Sequence, residues 1–251
     1  MAAVAENLKI VYNKIFIASA KRPLEYNNFE PRLVAVSKLQ SHNLILAAYE
    51  AGQKHFGENY VNELVEKGHH PDILAKCSDI HWHFIGHLQR NKVNKLLSVP
   101  NLYVIETVDN EKLSSALDAS WPKFRKQDEL KLKVMVQVNT SKEEGKSGCQ
   151  ISEVCSLVKY IRVNCKNLEF MGLMTIGMFG YDTAEGPNPD FLQLKECRYN
   201  LSKELGINLT KIELSMGMSN DYEQAVELGS TNVRVGSAIF GERPKKSVQM
   251  S

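Results

Sequence analysis

Paired cysteines are missing from this chain. Its five cysteines (Cys77, Cys149, Cys155, Cys165 and Cys197) are odd in number, and no two stand in C-x-x-C spacing. That argues against a disulfide framework and against a zinc site, and it suits a reducing compartment. An excess of charge is missing too: a net charge of +2 over 251 residues gives no general affinity for polyanions. The basic groups Arg90/Lys92/Lys95, Lys123/Arg125/Lys126 and Arg243/Lys245/Lys246 are scattered, without interleaved aromatics. They read as solvated faces, and no nucleic-acid partner is expected. No apolar run approaches the length of a membrane span. The amino-terminal stretch carries Glu6, Lys9 and Lys14, and its longest apolar run, Ile15 to Ala18, is too short for a signal sequence. A cytoplasmic protein with no membrane partner is therefore expected. There is no low-complexity stretch and no domain linker. Gly241 is followed by Glu242, so the segment is not a Walker loop.

What the sequence does contain is alternation. Ala2 to Ala20 reads as a leading helix, with Leu8, Val11, Ile15 and Ala18 at helical spacing. Eight candidate strands follow: Leu33–Ser37, Lys54–Gly57, Trp82–Ile85, Leu102–Glu106, Leu132–Val138, Glu169–Met174, Lys211–Leu214 and Asn232–Val235. Helical patterns separate most of them, at Asn43–Ala51, Tyr60–Lys67, Leu88–Ser98, Asn110–Ala119, Ile151–Val163, Pro189–Leu205 and Asp221–Leu228. Ser41 and Asp109 stand where helix caps would, and Gly52 and Gly229 where helices would stop. Strands such as Val134 to Val138 are almost continuously apolar, as in sheets covered on both faces. Eight such alternations in about 250 residues predict an α/β fold, a single (β/α)8 TIM barrel over residues 1–251, with residues 1–20 as an added helix and 244–251 as a tail. An open doubly wound sheet is the alternative.

Within that frame, two groups of residues suggest chemistry at the carboxyl ends of the strands, where barrel sites are built. Lys38 closes the first strand. A lysine among apolar neighbours loses part of its preference for the charged form, and a neutral amine condenses with aldehydes. By itself it reads first as a solvated lysine where a strand meets its loop. The second group is the run Leu214-Ser215-Met216-Gly217-Met218-Ser219 with Val233-Arg234-Val235-Gly236-Ser237. It ends strands seven and eight, the recurring location of barrel phosphate sites, and Ser219 is placed to cap the last long helix. Arg234 inside a buried strand is paired or functional, facing either a ligand ring nitrogen or a carboxylate such as Glu58 or Glu213. His81 and His83 share one strand face but lack a neighbouring ligand in register, so no metal is expected. Asn59 ends strand two, as a ligand contact or as a cap.

Taken together, Leu33-Val34-Ala35-Val36-Ser37-Lys38, His55-Phe56-Gly57-Glu58-Asn59-Tyr60-Val61, Trp82-His83-Phe84-Ile85-Gly86-His87-Leu88-Gln89, Gly172-Leu173-Met174-Thr175-Ile176-Gly177 and the two carboxyl-terminal runs resemble the pyridoxal phosphate homeostasis protein family. They occur in family order over about residues 30 to 243. The resemblance implies a barrel of the alanine racemase N-terminal domain type. It implies that pyridoxal 5′-phosphate is the cofactor, held as a Schiff base on Lys38. It implies phosphate contacts at Ser219, Gly236 and Ser237, Arg234 at the pyridine nitrogen, and Asn59, His83 and Met216 lining the cofactor. One departure is local: Leu39-Gln40-Ser41 stands where the family often has proline.

The resemblance also implies a carrier rather than a catalyst. An arginine beside the ring nitrogen keeps that nitrogen unprotonated and weakens the cofactor as an electron sink. The racemase fold takes one base from a second, β-rich domain, and this sequence is read as lacking it. The expectation is therefore a protein, monomeric with a dimer as the alternative, that buffers pyridoxal phosphate and supplies it to apo-enzymes, with no catalytic residues assigned. A weak amino-acid racemase is the alternative.

Overall fold

The computed structural model describes residues 2–23, 30–125, 130–178 and 180–241. The expected tail 244–251, the basic group at Arg243, Lys245 and Lys246, and Lys126 lie outside them. Eight parallel strands close on themselves in chain order: β1 (Arg32–Val36), β2 (His55–Glu58), β3 (His81–Phe84), β4 (Leu102–Val108), β5 (Leu132–Gln137), β6 (Leu168–Met174), β7 (Glu213–Ser215) and β8 (Asn232–Val235). The helices outside them are α1 (Ala2–Ala20), α2 (His42–Glu50), α3 (Val61–Gly68), α4 (Pro71–Lys76), α5 (Val93–Leu97), α6 (Glu111–Ser120), α7 (Val154–Asn164), α8 (Pro189–Leu205), α9 (Tyr222–Glu227) and α10 (Ser237–Phe240). The closed barrel, not the open sheet, is the architecture. No helix among the described residues is long and apolar enough to cross a membrane.

Helix α1 is amphipathic, as its apolar spacing predicts. Leu8, Val11, Ile15 and Ala18 are buried together with Val4. Lys14 pairs with Glu223, Lys21 pairs with Glu227, and Asn7 Nδ2 donates to the carbonyl of Ile239. The helix is thereby fastened over α9 and α10. All five cysteines are free.

Differences from the expected elements have local causes. The short helix α4 is additional. Its signal is Pro71 in the first turn, behind His70, whose ring accepts from the N–H of Asp72. The single helix expected over Leu88–Ser98 is a 3₁₀ turn at Arg90–Lys92 running into α5. The first turn of the Ile151–Val163 helix is likewise 3₁₀, at Ile151–Glu153. Ser41 occupies the N-cap of α2 without a side-chain cap bond, and the cap of α6 is Asn110, accepting from the N–H of Leu113, rather than Asp109.

Two cores result from alternation along the strands. Outward-facing Phe56, Trp82 and Phe84 are fully buried against the helices in the larger core. The lumen is unusual. Beside a small apolar group of Val104, Met135, Met171 and Met174, it holds buried polar and charged side chains. Half-buried Arg32 reaches Glu213 at 2.6 Å, and fully buried Glu106 of β4 meets Ser215 of β7 and Asn232 of β8. Those strands are not neighbours in the sheet, so these contacts cross the barrel interior.

Candidate functional site

A cavity of about 530 Å³ opens at the carboxyl end of the barrel. Lys38, Asn59, Ser219, Arg234, Gly236 and Ser237 line it, so six of the eight expected residues meet in one space. Lys38 lies just past β1 in a turn closed by the N–H of Gln40 on the carbonyl of Ser37, at 3.0 Å, and its side chain is half-buried. Leu39 beside it has φ 62°, in the left-handed region.

His83 and Met216 do not line the cavity. His83 is fully buried one layer below it, and Ile85, two residues nearer the mouth, supplies the cavity wall instead. At the end of β7, Ser215 faces the lumen, so Met216 points away and packs in the outer core. Ser219 also departs from expectation. The N-cap of α9 is Asp221, whose carboxylate accepts from the N–H of Met218 at 2.6 Å. The Ser219 hydroxyl instead accepts from the N–H of Gly236 at 3.1 Å, joining the loops after β7 and β8. At Gly236 a Cβ would stand 3.3 Å from the carbonyl oxygen of Val36, a tight contact, so glycine lets the end of β8 lie this close to β1 without displacing its neighbour.

Arg234 pairs with neither Glu58 nor Glu213. Its guanidinium is buried, donating from Nη1 to Ser215 Oγ at 2.6 Å and from Nη2 to the carbonyl of Thr175 at 2.8 Å. Ser215 Oγ donates to Glu106 Oε2 at 2.5 Å. Asn232 Nδ2 donates to Glu106 Oε1 at 3.1 Å, and His83 Nδ1 lies 2.6 Å from the same oxygen. Burial pushes Glu106 up, but the hydrogen bond from His83, the charge of Arg234 and the hydrogen bond from Ser215 bring it below the usual carboxylate range. Burial lowers His83, and burial with neighbouring positive groups lowers His55 to about 2. Both rings are therefore neutral and Glu106 is ionised, which orders the protons. His83 donates from Nδ1 to Glu106, and its Nε2 accepts from His55 Nδ1 at 2.9 Å. The histidines are visible in the sequence but their carboxylate is not, because Glu106 arrives from the adjacent strand with a register irregularity between them.

A second support lies under Lys38. Lys67 of α3 is only 7% exposed, and its Nζ donates to Glu58 Oε1 and Glu63 Oε1, each at 2.6 Å, and to the carbonyl of Ser37 at 2.7 Å. Nothing in the sequence marked Lys67, which occupies an ordinary helix position.

The family model described as "Alanine racemase, N-terminal domain" matches residues 20–244. A human protein named pyridoxal phosphate homeostasis protein is 53% identical over 94% of this chain and 85% of its own length. This chain belongs to the pyridoxal phosphate homeostasis protein family. A bacterial member, from Haemophilus influenzae, is 38% identical over 96% of both chains. The family fold also covers PipY of Synechococcus elongatus PCC7942, solved with PLP bound: TM-score 0.74, 29% identity, 95% of this chain and 100% of that one. Alanine racemase from Corynebacterium glutamicum shares the barrel at 14% identity and TM-score 0.63, over 99% of this chain and 63% of that one.

The residues present fit that cofactor. The cavity wall offers an amine at Lys38, buried guanidinium charge at Arg234, and a hydroxyl and glycine where two strand-end loops meet. Asn59 Oδ1 is buried there without a protein partner, a polar atom that a ligand would satisfy.

Proposed function

We propose that this protein holds pyridoxal 5′-phosphate as a Schiff base on Lys38 and serves as a cytoplasmic, monomeric buffer that supplies it to apo-enzymes. The observation that carries the reading is the convergence of Lys38, Arg234 and the Ser219–Gly236 junction on one cavity. The cofactor supplies an aldehyde, which a primary amine takes up with loss of water and no change of oxidation state. Lys38 provides that amine. Ser219, Gly236 and Ser237 stand where the phosphate would be held, and Asn59 would orient the ring. Arg234 would face the pyridine nitrogen. As a permanent cation, it leaves that nitrogen unprotonated, so the bound ring withdraws electrons weakly and storage is favoured over turnover. The five free cysteines support a reducing compartment.

The test is the visible spectrum of the purified protein beside Lys38→Ala, after incubation with pyridoxal phosphate. A yellow band in the unmodified protein alone, fixed onto Lys38 by borohydride, is expected. Added amino acid in deuterium oxide should leave a yellow band, since replacing one amine by another keeps the C=N bond, and should show no α-proton exchange. Exchange would make the protein an enzyme, and absence of the band would end the cofactor reading.

A further inference from the structure

The two peptide groups flanking Lys38 hang from one buried cation. The carbonyl of Ser37 accepts directly from Lys67 Nζ at 2.7 Å. The N–H of Leu39 donates at 2.6 Å to Glu63 Oε1, the same oxygen that Lys67 holds. Glu58 Oε1 takes Lys67 at 2.6 Å and the Ser37 hydroxyl at 2.7 Å, tying the triad to the end of β2. Leu39 sits at φ 62°, a conformation that residues with a Cβ avoid and that persists only where the surroundings hold it. None of Lys67, Glu58 and Glu63 lines the cavity.

We propose that Lys67 is a positioning residue for Lys38: by gripping the backbone on both sides, it sets the direction in which the Lys38 side chain enters the cavity. This rests on the cofactor reading above. An ammonium bonded to three oxygens is suited to the task, because losing any one bond leaves a buried group unsatisfied, so the turn has one well-defined arrangement.

The inference separates the amine from the rest of the site. Pyridoxine 5′-phosphate has the ring and the phosphate but a hydroxymethyl group in place of the aldehyde, so it cannot link to Lys38. Lys67→Met is the first variant. Lys67→Met with Glu58→Gln is the second, relieving the carboxylate that the first would strand. Either should weaken formation of the Lys38 adduct with pyridoxal phosphate at least tenfold by absorbance titration, with affinity for pyridoxine phosphate within twofold of the unmodified protein. In a Lys38→Ala background, Lys67→Met should change pyridoxal phosphate binding less than twofold. If both Lys67 variants fail to fold, Glu63→Ala, which removes the oxygen shared by Leu39 and Lys67 but leaves Lys67 on Glu58 and Ser37, must show the same split. Equal losses for the two ligands, or an undiminished loss in the Lys38→Ala background, would make the triad merely structural and overturn the proposal. No adduct in the unmodified protein would overturn it together with the cofactor reading.

Discussion

Arg234 and Glu106 do not touch; the hydroxyl of Ser215 stands between them, accepting from one at 2.6 Å and donating to the other at 2.5 Å. Both charges are buried, so each needs the other, and the hydroxyl carries that compensation while leaving the guanidinium at the cavity wall. Direct pairing would draw Arg234 down into the lumen. The relay keeps the cation at the mouth and the anion one layer below, where His83 and Asn232 complete its shell.

Breaking that relay should cost stability in graded amounts. Glu106→Gln strands the guanidinium without its counter-charge and should destabilise the barrel by about 3–5 kcal/mol. Ser215→Ala keeps both charges and removes the link, for about 1–3 kcal/mol. Urea unfolding of the three proteins measures the order. Equal costs would mean that the hydroxyl, not the carboxylate, satisfies Arg234.

The pH dependence of stability has two opposed parts. Burial raises Glu58 to about 7, against the lowering effects of Lys67 and Ser37. A carboxyl raised on folding binds its proton more tightly in the native state. Its contribution is therefore fully present below about pH 4.5 and is lost as pH rises through about 7. His55 works the other way. Held neutral to about pH 2, it takes up a proton in the unfolded chain first, so stability falls as pH drops below about 6.5. Unfolding of Glu58→Gln and the unmodified protein at pH 5 and pH 8 isolates the first part. Going from pH 5 to pH 8, the unmodified protein should lose stability relative to the variant. A constant difference would place Glu58 in the ordinary carboxylate range.

Two glycines near the site should separate folding from binding. Gly217 has φ 96°, and a Cβ there would stand 2.5 Å from the Cβ of Ala225. Gly217→Ala should cost at least about 2 kcal/mol from backbone strain and overpacking together. At Gly236 the nearest atom to an added Cβ is 3.3 Å away and φ is negative, so Gly236→Ala should be milder in folding. Because Gly236 lines the cavity, its methyl should weaken pyridoxal phosphate binding by more than it lowers the melting temperature would suggest. Melting curves with and without ligand decide between them.

The alternation of strand and helix, and with it the barrel, is legible in the residues alone. The expected bounds of α1, α8 and β8 coincide with those observed, because each is long and periodic or sharply punctuated. The sequence also marks Lys38 and the two runs ending β7 and β8, since a strand terminus in a barrel points to the mouth wherever the strand lies. Tertiary structure alone decided which lumen side chains meet. Glu106 and Ser215 are 109 residues apart, on strands that are not neighbours, and their contact depends on the tilt and register with which eight strands close. A register of one residue decides that Ser215 faces in and Met216 out, and height along the same strand face decides that Ile85 rather than His83 reaches the cavity. The grip of Lys67 on the Lys38 turn was equally invisible. Periodicity reports which face of an element is apolar, whereas a buried ammonium is specified only by the three oxygens that other segments bring to it.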